Sequence, residues 1–223
     1  MGNKRRIKEA EHVRETILNA ARELFVKHGH EAVTMRMIAK AIDYAPGAIY
    51  FHFKDKEALI REMCMQDLTA VTAAIRQQEQ LADPVEQLKV FMLGYARWGI
   101  EHPNHYRLML MSPCPGAEYA AIDEHLQRIK GNPEHDAYAL LLQTVQGLID
   151  RKLLRPEFKE ASLVAQCVWG AVHGVVALEI THRNDPWFDW QPIEKRLRTV
   201  LDCVIGGMLR NAAGTRTRKK VRP

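Results

Sequence analysis

Few residues of this chain combine type and spacing in a way that does covalent chemistry. His28 with His30, and His102 with His105, have spacings a metal ion could bridge, but each pair flanks a helix end, and chance proximity among ten histidines explains both. No glycine-rich phosphate loop, HExxH, nucleophile elbow or paired Cys–His set occurs. The chain reads as a non-enzyme, with no metal and no resident cofactor expected. Of four cysteines, Cys64, Cys167 and Cys203 fall in apolar helical patterns, where a thiol acts as a small hydrophobe, and Cys114 sits in the turn Ser112-Pro113-Cys114-Pro115-Gly116. No CxxC or zinc spacing exists, so reduced thiols are expected, with a redox switch at Cys114 as the one thiol chemistry left open.

The chemistry that remains is non-covalent, and the placement of charge points to it. Residues 1–56 hold eleven Lys/Arg against seven Asp/Glu, residues 210–223 hold six Lys/Arg and no acid, and the stretch between is net −5 within a total of +5. A basic head, an acidic body and a basic tail suggest that a polyanion meets the ends. The opening run Lys4-Arg5-Arg6-Ile7-Lys8 has no apolar stretch behind it, so no signal peptide is expected. The longest apolar stretch, Leu163 to Leu178, is interrupted by Gln166 and His173 and falls short of the ~20 residues a membrane span needs. A soluble, cytoplasmic protein with no membrane partner is the expectation.

The elements that must position such residues are helical throughout: 47% hydrophobic content supplies a core, and no convincing strand alternation occurs. Val13, Ile17, Ala20, Ala21, Leu24 and Phe25 stripe a first helix that stops at Gly29. Thr34 can cap a second with Met35, Ile38, Ala39 and Ile42 inward. After the turn Asp43-Tyr44-Ala45, Pro46 fits the first position of a third helix reaching about Phe53. Asp55 caps a long fourth helix to about Gln78, Asp83-Pro84 opens a fifth to about His102, and a short one spans about Asn104 to Met111. Further helices are expected at about Ala117–Lys130, from Asn132-Pro133 to about Lys152, at Ala161–His182 and at Pro192–Arg210. The fold class is all-α: a helix-turn-helix domain at 9–54, a larger helical regulatory and dimerisation domain at 55–210, and a disordered basic tail at 211–223.

Three short helices in about 45 residues, the last two joined by a three-residue turn, form the pattern of a helix-turn-helix. Ile49 and Phe53 supply the inward face of its third helix, and Pro46, Gly47, Ala48, Tyr50, Phe51 and His52 surround or form the outward one. The run Ile17-Leu18, Ala21, Leu24-Phe25, Gly29, Val33-Thr34, Ile38-Ala39 and Pro46 through Leu59, with its block GAIYFHFKDKEAL, closely resembles the TetR/AcrR family of transcriptional regulators. The resemblance implies a double-stranded DNA operator as partner, and roles follow position by position. Thr34 would face a phosphate at a helix N-terminus. Pro46, Gly47 and Ala48 would enter the major groove, with Gly47 allowing close backbone approach. Tyr50, His52 and Lys56 resemble phosphate-side contacts. Tyr50 packing on the first helix, and His52 ordering the fold, are the alternatives. Phe51 would touch a sugar or a thymine methyl. Asp43 stands where the family has glycine, and tolerates a left-handed turn. Ala45 replaces the usual Ser/Thr cap, a loss of ~1 kcal/mol. With no Arg, Asn or Gln on the outward face, specificity would lean on Arg36, Tyr44, apolar contacts and DNA shape.

Downstream, Trp169-Gly170-Ala171-Val172-His173-Gly174, with Glu101 through Met109, is similar to a C-terminal subclass named for its Trp-His-Gly run. In such regulators the last two long helices pair with their mates as a four-helix bundle, so the resemblance implies a homodimer, with Gly170, Gly174, Gly206 and Gly207 permitting close approach. It also implies an unidentified small-molecule effector within the C-terminal helices. Met92, Tyr95, Trp98, Tyr106, Met109, Trp169 and His173 are the candidates for lining its pocket, and ordinary core is the competing reading of each. The fourth helix, carrying Lys56 at its start, would couple pocket to DNA.

Overall fold

The computed structural model describes residues 2–29, 31–111, 127 and 129–210. Its helices are α1 (Gly2–His28), α2 (Met35–Ala41), α3 (Pro46–Tyr50), α4 (Lys56–Arg76), α5 (Pro84–Glu101), α6 (Pro103–Tyr106), α7 (Ala137–Asp150), α8 (Ala161–His182) and α9 (Ile193–Met208), with a π-helical turn at Arg107–Met111 directly after α6. The described residues contain no strand, only an isolated bridge between Leu154 and Leu209. Cys114, the helix expected at Ala117–Lys130 apart from residues 127, 129 and 130, His30 and the tail 211–223 lie outside the described residues.

The all-α expectation holds, and three boundaries move for identifiable reasons. The third helix ends at Tyr50, not Phe53: Phe51 and His52 donate tight-turn bonds to Ala48 and Ile49, freeing the chain to reach Asp55, whose carboxylate caps α4 through the Ala58 N–H at 2.7 Å. The helix expected from Asn132-Pro133 begins only at Ala137, because Asp136 is the cap: its Oδ1 accepts from the Tyr138 and Ala139 N–H groups, its Oδ2 from Gly131. That helix stops at Asp150, where Lys152 turns left-handed at φ 56°. The short helix after Pro103 becomes a single α turn followed by the π turn. Helix α8, at 22 residues, is long and apolar enough to cross a membrane by length and composition alone, a test that core helices also pass. Its inward side carries Val164, Ala165, Val168, Val172 and Val176, all buried against α5, α7 and α9.

Two apolar cores result. The first joins Ile17, Leu18 and Phe25 of α1, Ile38 of α2, Ile49 and Phe53 around α3, and Leu59, Ile60 and Met63 of α4. Each such side chain contributes ~1.5–3 kcal/mol by leaving water. The second gathers Val71 and Ile75 of α4 with α5, α7, α8 and α9. Helix α4 therefore serves both cores. Leu108 of the π turn belongs to the first core, while its neighbours Met109 and Leu110 pack on the second.

Between the cores lies a buried ion pair. Arg22 of α1 and Asp67 of α4, each 2% exposed, meet at 2.9 Å, and the same Asp67 oxygen lies 2.8 Å from Nδ1 of His105 on α6. Arg22 also donates to Asn19 and Gln66. Removing one partner strands a charge in a dry site, at a cost of ~3–5 kcal/mol. Asp67→Ala should accordingly lower the unfolding free energy by about that amount in urea titration; a loss under ~1 kcal/mol would show the pair to be structurally idle.

Candidate nucleic-acid interface and effector cavity

The outward side of the helix-turn-helix is assembled from backbone devices. Thr34 caps α2, its hydroxyl accepting from the Met37 N–H at 3.3 Å. Lys56 Nζ donates to the carbonyl of Val33 at 3.2 Å, which places its ammonium beside Thr34. Asp43 takes φ 56°, the left-handed conformation expected of it. Ala45 makes no side-chain cap, and Pro46 opens α3 without one. Thr34, Arg36, Tyr44, Ala45, Pro46, Gly47, Tyr50 and Phe51 are exposed, whereas Ala48, His52 and Lys56 are half-buried. A Cβ added to Gly47 would meet nothing within 4 Å, so the protein itself gives no reason for glycine there. Phe51 is 91% exposed and Tyr50 53%, so Tyr50 is not packed away on α1. Arg14 secures this edge. It donates to the His52 carbonyl, pairs with Glu62 of α4, and lies 4.4 Å over the Phe53 ring.

In the larger domain, α4, α5, the π turn, α7 and α8 line a partly open cavity of about 300 Å³. Met92, Tyr95, Met109 and Trp169 line it, as anticipated for those four. Trp98, Tyr106 and His173 do not. Trp98 stacks on His102 at 5.4 Å and meets His105 edge-on, which places it toward α6. Tyr106 and His173 stand behind the wall in a hydrogen-bonded chain. The Trp169 indole donates to the Tyr95 oxygen at 2.9 Å, the two tyrosine hydroxyls are 2.8 Å apart, and the Tyr106 hydroxyl is 2.8 Å from His173 Nδ1. Indole can only donate, so the Tyr95 oxygen accepts from Trp169, while the two tyrosine hydroxyls bond to each other and Tyr106 bonds to His173 Nδ1. Burial lowers the His173 pKa. Burial pushes the Tyr95 hydroxyl up to about 12 against the lowering effect of its two bonds, and raises Tyr106 as well. A Cβ on Gly99 would lie 2.5 Å from the Tyr106 ring, so this glycine seats the chain.

Comparison with known proteins agrees with this geometry. Residues 17–63 match the description "Bacterial regulatory proteins, tetR family", and residues 88–204 match "Tetracyclin repressor-like, C-terminal domain". The chain belongs to the tetR family. The C-terminal match does not bear out the Trp-His-Gly subclass. HTH-type transcriptional regulator UidR of Escherichia coli (strain K12) is 42% identical over 69 residues, 31% of this chain and 35% of that protein, so the chain spans about a third of that relative's length. HTH-type transcriptional regulator AcrR of Shigella flexneri is 27% identical over 150 residues, 66% of this chain and 68% of the other. In fold, the chain is similar to the TetR family transcriptional regulator PfmR from Thermus thermophilus, with TM-score 0.66 and 22% identity over 87% of this chain and 99% of that one.

Sequence reading missed several residues of this tetR-family chain. Arg14, Arg22 and Asp67 sit at ordinary polar positions of long helices, and only tertiary contact distinguishes them. Phe91, Tyr138 and Leu141 join the cavity wall and were legible only as core. The Asp136 cap has a signal, Asp preceding an apolar helical run, that the nearby Asn132-Pro133 obscured.

The hydroxyl chain makes a pH dependence. The His173 pKa is lowered in the folded state below the ~6.5 of an exposed imidazole, so the unfolded chain binds more protons in the window below that value. Stability from this site is therefore complete above pH ~6.5 and declines as pH falls toward the folded-state pKa. His173→Gln keeps an acceptor without a titrating ring. Urea unfolding at pH 7.5 and pH 5 should show a smaller loss on acidification in the variant than in wild type; equal losses would mean that His173 does not contribute.

Proposed function

We propose that the protein is a ligand-responsive transcriptional repressor that binds a pseudo-palindromic double-stranded DNA operator as a homodimer in the cytoplasm. The observation that carries the DNA reading is the bare outward face of α3. A Phe at 91% exposure beside an open Gly47 has no function inside the protein. Both suit a surface that presses backbone and ring into a groove. Thr34, Lys56 and Tyr50 flank that face as phosphate contacts, Arg36 and Tyr44 reach toward base edges, and Ala45, Pro46 and Ala48 form the entering turn. His52 orders the α3–α4 connection through the bond its carbonyl accepts from Arg14.

Dimerisation is assigned to α8 and α9. Gly170, Gly174, Gly206 and Gly207 have no neighbour within 4 Å of an added Cβ, and Leu163 and Leu178 are 49% and 45% exposed on the same stretch. A second copy would cover this face. The ligand acts by preferring the conformation whose recognition helices are misplaced for DNA. Two routes from the cavity to α3 support that coupling: α4, which serves both cores, and the π turn, whose Leu108 lies in the first core while Met109 and Leu110 line the cavity.

Selection of bound sequences from a random DNA pool is the test. It should return a two-fold-related pair of half-sites with centres ~34–36 Å, or a small multiple, apart. Enrichment of a single asymmetric site, or none, would contradict the proposal. Gly174→Leu, a change that the open position accommodates within one protomer, should leave helix content intact and raise the dimer dissociation constant at least tenfold in sedimentation. An unchanged constant would remove α8 from the interface.

A further inference from the structure

The chemistry of the cavity wall narrows what can enter. Its described lining contains no Lys, Arg or His. Phe91, Tyr138 and Trp169 give it aromatic faces, and Met92, Met109 and Cys64 give it soft, polarizable ones. The one carboxylate of the described lining is already committed. Asp136 accepts three backbone N–H groups, at 2.9 Å from Tyr138, 3.2 Å from Ala139 and 2.9 Å from Gly131, at the N-terminus of α7, where the helix dipole also favours the negative charge. The Tyr95 oxygen already bonds to Trp169 and Tyr106.

We propose that this cavity takes an uncharged, apolar or aromatic molecule and rejects ions of either sign; this ligand class rests on reading the cavity as the effector site. An anion would lose its water with no cation in the described lining to meet it, beside the Asp136 carboxylate. A cation would have to draw Asp136 away from three backbone donors, leaving the first turn of α7 uncapped. A neutral ring gives up little hydration and gains contact with aromatic and sulfur surfaces. About 300 Å³ is at the small end of ligand pockets, which favours one or two fused rings over a long chain.

Three probes with one skeleton test this: 2-naphthalenemethanol, 2-naphthoate and (2-naphthylmethyl)trimethylammonium, each titrated calorimetrically into the full-length dimer at pH 7.5. The alcohol should bind at least tenfold tighter than either ion. An ion that binds within twofold of the alcohol or more tightly, or no binding by any probe at millimolar concentration, would overturn the proposal. Met109→Lys, which puts an ammonium on an unbranched stem in the wall, should shift preference toward the naphthoate by tenfold or more. An unshifted preference in a folded variant would place the probes elsewhere and overturn the assignment. If that variant does not fold, by circular dichroism, the wild-type series still decides. Operator release is scored separately. An alcohol that binds without weakening the selected operator removes the effector reading and leaves the ligand class, whereas preference for an ion removes the class and leaves the effector reading.

Discussion

The contact between Arg22 and Asp67 fixes how the two helical cores of this chain sit on each other. An apolar pair in the same place would hold the cores together at comparable strength, since burying charges costs about what their attraction returns. It would not hold them at one angle, because apolar contacts are non-directional. A guanidinium bonded at once to Asn19, Gln66 and Asp67 admits one geometry. His105 on the same Asp67 oxygen extends that geometry to α6. Three helices from both sides of the molecule thus meet on one buried carboxylate, and the position of α3 relative to the cavity follows from it.

The π turn sits at the point where this rigidity meets the larger domain. Arg107, its first residue, donates to the Ile180 carbonyl of α8 at 2.8 Å, and Leu108 reaches the opposite way into the first core. Met109 and Leu110 then face the cavity. Five residues therefore touch α8, the core of the helix-turn-helix and the cavity wall. π turns are rare and recur at functional sites. The Tyr95–Tyr106–His173 chain ties Tyr106, the residue immediately before this turn, to α5 and α8.

Local signals made most of this architecture legible. The caps Thr34, Asp55 and Asp83, the proline at position 46 and the apolar stripes of α1, α8 and α9 placed helices to within a few residues, because each is written in consecutive residues. The end of α3 was not, since the chain leaves the helix there to reach the Asp55 cap, a demand made by the next element. The exposed outward face of the helix-turn-helix was readable in a compact block around residues 34–56. The cavity was readable only in half. Met92, Tyr95, Met109 and Trp169 were distinguishable as residues able to line a wall, but Trp98, Tyr106 and His173 share their composition and differ only in which neighbour they meet. The Arg22–Asp67 pair lies 45 positions apart in sequence, and nothing local marks either residue.

In the proposed function, occupancy of the cavity and grip on the operator are the same equilibrium seen from two sides. The direct measurement is the dissociation constant of 2-naphthalenemethanol with and without saturating operator DNA, alongside that of the operator with and without saturating probe. Coupling of ~1–3 kcal/mol corresponds to a change of roughly 5–150-fold, and the two ratios must agree, because linkage is reciprocal. The account predicts equal weakening in both directions. Probe binding that is tight yet indifferent to operator would contradict it.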